Sequence, residues 1–531
     1  MTESVGLAFV HDVGSGPQGS DYYMPESMAA GGALFDMDQD GDLDIYLING
    51  ARTHSDDEGL PPLRNRLYRQ DAGPRFVDAT DSSGLGDAGY GMGVAIGDID
   101  NDGDEDVYVT NVGNDALYRN NGDATFTNIT AAAGIQEDQW GASAAFFDYD
   151  RDDYLDLFVT HYVALDPSVK AFDNAGRREY PGPHLFHGTT SALYRNNGDG
   201  TFADVSQGAG IASAALRGLG VVCGDFDEDG WPDVFVANDG QPNQMWINRH
   251  DGTFEDRGMA MGVAVNLFGQ AEANMGIAVG DVDGDLDMDL FITHLTGEQN
   301  TLYVNLGGGL FEDRSVVAGL AAPSIPFTGF GTAFIDYDDD GDLDLLAVNG
   351  RVRRGLVHPG AAVPAHWQGY AEPNQLFEND GGGRFTDASS GAGPICGRAE
   401  VGRGLAVGDV DNDGDQDVLI TNGGGPARLF LNEYERGNWL TVRAMDSRLR
   451  RTAIGAVLDV WIGDRRLRRE VRVAYSYLCS NDPRVHFGLG SAIRVDRLAI
   501  RWPDGTTDSI SDVPANQRIS VAKGSGQWRP E

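Results

Sequence analysis

An aspartate loop of the form D-x-D-x-D-G-x-x-D recurs seven times along the chain, each copy followed by a short apolar run, with first residues Asp36, Asp98, Asp148, Asp225, Asp281, Asp336 and Asp409. The second copy is the most regular: Asp98, Asp100, Asp102, Gly103, Asp104, Asp106. In such a loop alternate carboxylates point into one concavity, and the glycine permits the tight turn that gathers them. A single copy could be an ordinary surface turn, because Asp and Gly mark turns in any case. Seven copies are harder to dismiss. Four or five crowded carboxylates repel one another unless a cation sits among them, and hard oxygen donors in that number suit Ca²⁺.

The candidate ligands of the first two loops are Asp36, Asp38, Asp40, Asp42 and Asp44, then Asp98, Asp100, Asp102, Asp104 and Asp106. The third and fourth loops offer Asp148, Asp150, Asp152 and Asp156, then Asp225, Asp227, Asp229 and Asp233. The fifth offers Asp281, Asp283, Asp285, Asp287 and Asp289, and the sixth Asp336, Asp338, Asp340, Asp342 and Asp344. The seventh offers Asp409, Asp411, Asp413, Asp415 and Asp417. Up to seven Ca²⁺ ions are therefore expected. In the third loop Asp153 and Tyr154 replace the Gly-Asp pair, and in the fifth Leu286 stands at the glycine position. These two are expected to be weaker or distorted.

The loops are spaced by 62, 50, 77, 56, 55 and 73 residues, a period that points to a propeller or solenoid. Within a unit the grammar is constant. Gly91-Met92-Gly93-Val94-Ala95-Ile96-Gly97 leads into the loop, Val107-Tyr108-Val109-Thr110 leaves it, Leu117-Tyr118-Arg119-Asn120 follows, and Phe126 closes the unit. Small residues before the loop suit an inner strand near an axis, and β-branched and aromatic runs suit mid-blade strands. Turns such as Asn196-Asn197-Gly198-Asp199-Gly200 are hairpin signals, and no 3.6-residue apolar period supports an α-solenoid. The fold expected is all-β: a seven-bladed β-propeller with calcium-binding loops over 1–432, a small β domain over 433–523, and a tail, 524–531. The seventh unit lacks a closing phenylalanine after Leu429-Phe430-Leu431-Asn432, whereas Gly6-Leu7-Ala8-Phe9-Val10-His11 precedes the first unit. That segment is expected to act as the missing outer strand and to close the ring.

The formal charge of −43 is unevenly distributed, with 17 Lys+Arg against 12 Asp+Glu over 433–531 and 22 against 70 before it. A nucleic acid would want a basic groove, so none is expected as partner. Arg465, Arg466, Arg468 and Arg469 surround one strand-like run and read as a solvated β-hairpin. Cys223, Cys396 and Cys479 form no disulfide framework. No run reaches the length of a membrane span, and the first residues show no basic-then-apolar leader. A cytoplasmic location is expected from the latter, with an extracellular one as the alternative if a leader has been removed.

The repeats resemble FG-GAP/VCBS units, the calcium-loop blades also found in integrin-type propellers. The C-terminal segment resembles the ASPIC/UnbV domain through Ala453-Ile454-Gly455-Ala456, Ser480-Asn481-Asp482-Pro483-Arg484, His486-Phe487-Gly488-Leu489-Gly490 and Arg501-Trp502-Pro503-Asp504-Gly505. The combination is similar to the family that includes cartilage acidic protein and the UnbV proteins of bacterial enediyne clusters. The resemblance implies a calcium propeller with an appended β domain and assigns no general reaction.

If the acid loops join the first and second strands of each blade, the opposite face carries the long insertions 161–189 and 351–373. Candidate catalytic residues there are His161, Tyr162, His184, His187, His294, His358 and Arg351, with His54 and His366 beside them. No H-E-x-x-H, G-x-S-x-G or P-loop occurs, and Gly91-Met92-Gly93 reads as strand packing. His486 reads as a hydrogen-bonded structural histidine and Asp482-Pro483-Arg484 as a locked turn. The leading expectation is a binding or assembly module with a protein or small-molecule ligand on the insertion face, serving as an accessory protein of natural-product biosynthesis. The alternatives are a cyclase or isomerase of that metabolism and an extracellular adhesion protein.

Overall fold

The computed structural model describes all residues except 1, 15–19, 53–60, 72, 137 and 435–436. Seven antiparallel sheets follow one another along 32–430, with inner strands Gly32–Phe35, Gly91–Gly97, Gly141–Phe147, Gly218–Gly224, Ile277–Gly280, Gly329–Ile335 and Gly402–Gly408. Each inner strand packs against the next, and the seventh packs against the first, so the sheets form a closed ring. Blade 2 is typical. Gly91–Gly97, Asp106–Asn111, Ala116–Asn120 and Phe126–Asn128 pair in chain order, with the acid loop between the first two strands. Alternating apolar residues of neighbouring blades interlock between the sheets, as Val94, Ile96, Val107 and Val109 do with Phe35, Tyr46 and Leu67.

The N-terminal segment closes the ring in a different manner from the expected strand. Thr2–Val5 is a 3₁₀ turn, and among the described residues the only ladder contact to blade 7 is a bridge from Val10 to Pro426. The physical reason is register: Thr2 Oγ1 accepts the Leu429 N–H at 3.2 Å, as Thr80 Oγ1 accepts that of Leu67 at 3.0 Å in blade 1. Residues 2–11 therefore supply the turn that follows a fourth strand, while Leu7 and Phe9 are buried in the core between blades 7 and 1.

The C-terminal domain packs two sheets around Leu440, Val442, Leu458, Val460, Leu498, Ile500 and Trp502. Its boundary differs from the expected one. Trp528–Pro530 pairs with Gln517–Ala522, so the segment expected as a tail returns to the sheet as its last strand. Nor is the domain separate, because residues 474–482 leave it and enter the propeller channel. There Ser476 exchanges two main-chain hydrogen bonds with Ile277 (3.0 and 2.7 Å), Cys479 and Ser480 pair in parallel with Gly32 and Ala33, and Val94 N–H reaches the Leu478 carbonyl at 3.3 Å. The glycines of the inner strands make this possible: a Cβ at Gly31 would lie 2.3 Å from the Leu478 oxygen, and one at Gly404 2.5 Å from Cys479 Sγ.

Candidate metal centres and the two capped faces

The acid loops share one hydrogen-bond scheme. Carboxylates at position 5 (Asp40, Asp102, Asp152, Asp229, Asp285, Asp340, Asp413) accept the N–H of position 7 at 2.8–3.0 Å. At position 9, which opens the second strand, Asp44, Asp106, Asp156, Asp233, Asp289, Asp344 and Asp417 each accept an N–H from the end of the third strand at 2.8–2.9 Å. The position 1 carboxylate takes the N–H of position 6 at 3.0–3.1 Å in six loops; in the sixth loop Asp336 instead accepts Gly488 N–H of the C-terminal domain at 2.9 Å.

These bonds leave oxygen atoms aimed inward. Asp36, Asp38 and Asp40 bring one carboxylate oxygen each within 4.8 Å of the others, as do Asp98, Asp100 and Asp106, Asp148, Asp150 and Asp156, Asp225, Asp227 and Asp229, and Asp281, Asp283 and Asp285. Every loop also holds a buried carboxylate oxygen with no hydrogen-bond partner, on Asp38, Asp98, Asp150, Asp225, Asp283, Asp336 and Asp409. Burial, then neighbouring carboxylates, push Asp98, Asp148 and Asp409 up to about 6, against backbone N–H and arginine contributions that lower them. Burial also pushes Asp44, Asp233 and Asp417 to about 8 and Asp156 and Asp344 to about 9, although their main-chain hydrogen bonds favour the ionised form. Such orphaned, desolvated acid oxygens fit a hard divalent cation. Positions 1, 3, 5 and 9 would hold it, and it would supply the positive charge these groups lack.

Two sequence expectations change. The position 7 carboxylates turn outward along the ring. Asp42 accepts from Asn412 at 2.7 Å and Asp104 from Gln39 at 2.6 Å, while Asp342 pairs with Arg465, and Asp287 and Asp415 lie against Glu228 and Asp339. In loops of this spacing position 7 contributes a main-chain carbonyl, which frees its side chain for this role. The third and fifth loops also keep the common path: Asp153 and Leu286 adopt the left-handed conformation (φ 77° and 80°) of Gly41 and Gly230, and their N–H groups still reach Asp148 and Asp281 at 3.1 Å. The cost is local backbone strain of about 1–3 kcal/mol at each.

Sequence reasoning missed a second staple. The amide side chains of Gln70, Asn120, Asn196, Asn248, Asn379 and Asn432 each donate to a carbonyl in the acid loop of the preceding blade at 2.8–3.0 Å. The signal was the recurring Asn that ends the third strand, as in Leu117-Tyr118-Arg119-Asn120.

The C-terminal domain sits on the acid-loop face, and its arginines are not solvated as a free hairpin would be. Arg465 bonds the Asp340 carbonyl at 2.6 Å, Arg468 that of Leu286 and Arg469 that of Gly341 at 3.1 Å, Arg501 approaches Asp225 at 3.5 Å, and Arg451 reaches Asn101 at 2.8 Å. Arg466 is the exception in reach, pairing within the domain with Asp459 at 2.6 Å. The segment Asp482-Pro483-Arg484 is locked by a buried ion pair of 2.8 Å, and Arg484 also bonds the Asp409 carbonyl. His486 Nε2 lies 3.0 Å from Asp339 Oδ1; burial would lower its pKa, but Asp339 and Asp336 outweigh it and hold it above the usual value.

On the opposite face the two long insertions meet. Tyr370 and Arg354 bond Glu179, Tyr180 bonds Glu26 and His366, and Tyr180 stacks on Trp367 with centroids 6.1 Å apart. The candidate catalytic residues do not converge there. His161, Tyr162 and His294 are fully buried strand-end groups: His161 Nδ1 bonds the Thr190 carbonyl, Tyr162 bonds Asp239, and His294 bonds the Ala273 carbonyl and Thr301. Burial lowers His294 to about 4. Arg351 is paired with Glu372 at 2.7 Å, whereas His184, His187 and His358 are exposed. His54 lies outside the described residues. The space left at this end of the channel, among Met24, Met28, Tyr162, Tyr180 and Phe330, is about 30 Å³, room for one water.

Models of known families match both parts. The FG-GAP-like repeat model matches 36–109, 98–159, 185–236, 225–292 and 365–420, and the ASPIC and UnbV model matches 446–527. The chain belongs to the FG-GAP-like repeat family. Among its relatives, cartilage acidic protein 1 of Xenopus tropicalis is 26% identical over 349 residues (61% of this chain, 49% of the relative), and that of Homo sapiens is 27% identical over 313 residues (57% and 43%). The match thus spans less than half of those proteins. Solved structures with a similar path include the BP39L lectin from Burkholderia pseudomallei (TM-score 0.41, 12% identity, 77% of this chain and 96% of that one). YCF48 from Cyanidioschyzon merolae is another (TM-score 0.40, 10% identity, 75% and 94%). Among the described residues no helix is long and apolar enough to cross a membrane.

Proposed function

We propose that this protein is a calcium-stabilised propeller that works as a binding or assembly module and presents its insertion face to a partner. The observation that carries the reading is a channel filled from both ends. The 474–482 hairpin enters from the acid-loop side, and Met24, Met28 and the insertions cover the other. Among the described residues the channel offers a substrate no chamber to enter, while the exposed groups of the cap, including His184, His358 and Arg353, are free to contact a large or flat ligand. Calcium in the acid loops would make the face rigid by tying each blade's first two strands together. The natural-product context, with this chain as an accessory to biosynthetic enzymes, rests on the UnbV-type domain.

The test compares buried and exposed groups. His294→Ala removes a group bonded on both ring nitrogens and should lower the melting temperature, whereas combined His184→Ala and His358→Ala should melt as wild type and weaken partner binding. A His294→Ala protein that melts as wild type but abolishes formation of a pathway product would favour the enzyme reading instead.

A further inference from the structure

Six of the seven gaps between blades are filled in one way. The fourth strand of the following blade drops a phenylalanine into the shared core: Phe126, Phe202, Phe254, Phe311 and Phe385 from blades 2 to 6, and Phe76 between blades 7 and 1. Among the described residues the gap between blades 6 and 7 lacks its counterpart, because the sheet of blade 7 ends at its third strand, Arg428–Phe430. In blade 1 the third-strand residues Tyr68, Arg69 and Gln70 pair with Asp78, Val77 and Phe76. The matching positions in blade 7 are Phe430, Leu431 and Asn432, as the pairing of Val418 with Phe430 and of Ile45 with Tyr68 shows. Residues 2–11 cannot serve them, since Thr2 stands where Thr80 stands, already past the strand. What remains is a groove of about 630 Å³ lined by Leu376, Ala388, Ala392, Ile395, Phe430 and Leu431.

We propose that this groove is a strand-acceptor site that takes an extended peptide of a partner protein, presenting a phenylalanine two residues before an Asp or Asn, as the fourth strand of blade 7. The groove is continuous with the core between blades 6 and 7, which contains Leu346, Leu376, Val418 and Ile420, so an inserted aromatic ring would extend an existing interface. The chain itself supplies the template. Its six fourth strands read Phe76-Val77-Asp78, Phe126-Thr127-Asn128, Phe202-Ala203-Asp204, Phe254-Glu255-Asp256, Phe311-Glu312-Asp313 and Phe385-Thr386-Asp387. Main-chain pairing along the open edge would give affinity, and the ring set among Leu376, Ala392 and Ile395 would give selectivity, with Glu378 and Glu433 also lining the groove. An edge left open in this way is otherwise an aggregation liability. The site goes beyond the insertion-face reading and uses none of its residues.

The probe is a fluorescent synthetic peptide copying residues 383–389, Gly-Arg-Phe-Thr-Asp-Ala-Ser, titrated with the full calcium-loaded chain by anisotropy. Saturable binding is expected, at least tenfold weaker when the peptide's Phe is replaced by Ala. Ala392→Trp, which fills the groove, should abolish it, and so should Leu431→Pro, which removes an edge N–H, while His184→Ala with His358→Ala should leave it unchanged. If either groove variant does not fold, the other and the peptide pair decide. Equal binding of the Phe and Ala peptides, no saturation up to about 1 mM, or binding that survives in a folded groove variant would overturn the proposal. So would a concentration-dependent dimer dispersed by the peptide, which would put a second copy in the groove.

Discussion

Asp106 and its six counterparts carry two loads, tying the third strand to the second through main-chain N–H groups and, in our proposal, helping to hold a cation. In calcium-free protein burial raises these groups from 3.8 to about 8 for Asp44, Asp233 and Asp417, and to about 9 for Asp156 and Asp344. A carboxyl raised on folding contributes stability that is fully present below its unfolded pKa and is lost as pH climbs through its folded one. Chelated protein should therefore melt progressively lower between about pH 5 and pH 9. Calcium-loaded protein should show the opposite slope at the acid end, because its ligands must be ionised to hold the metal. A second residue-scale prediction concerns Arg484. Arg484→Ala strands Asp482 in a buried site and should cost about 3–5 kcal/mol in urea denaturation. The loop aspartates at positions 1, 3, 5 and 9 were legible in sequence because their spacing gathers them in one turn, whereas the outward course of position 7 depends on partners such as Asn412 and Gln39 in neighbouring blades. The amide staples were not, since Asn120 has meaning only against the Met37 carbonyl of the preceding blade.

At the scale of elements, the four-stranded units could be read directly, because each strand carries its own local signal in size, branching and turn residues. The N-terminal segment misled for a local reason as well. Gly6-Leu7-Ala8-Phe9-Val10-His11 has strand-like composition, but Gly6 at φ 90° packs on the Phe76 carbonyl, as Gly84 at φ 77° packs on that of Phe126, and both belong to the turn after a strand. Closure is still its work. Deleting residues 1–12 removes buried Leu7 and Phe9 and should cost about 3–6 kcal/mol, read as a lower melting temperature. An unchanged melting curve would contradict this role. The arginine run of Arg465–Glu470 misled for the opposite reason: its partners Asp340, Gly341 and Leu286 lie more than a hundred residues away in sequence, and no local pattern announces them.

For the whole molecule, charge that is separated along the chain is brought together in space. The net-positive C-terminal domain covers the acid-loop face and sends Tyr477, with its hydroxyl on the Met28 carbonyl, through the channel toward the far cap. The ring is thus bound at its hub by the hairpin, at its seam by residues 2–11, and at each loop, in our account, by a metal ion. Calorimetric titration of Ca²⁺ into chelator-stripped full chain, with melting temperature followed in parallel, tests that last claim most directly. Several tight sites are expected, approaching one per acid loop, with a melting temperature that rises as they fill; a stripped chain that takes up no Ca²⁺ and melts the same with or without it would rule out metal ions as the ties of the ring.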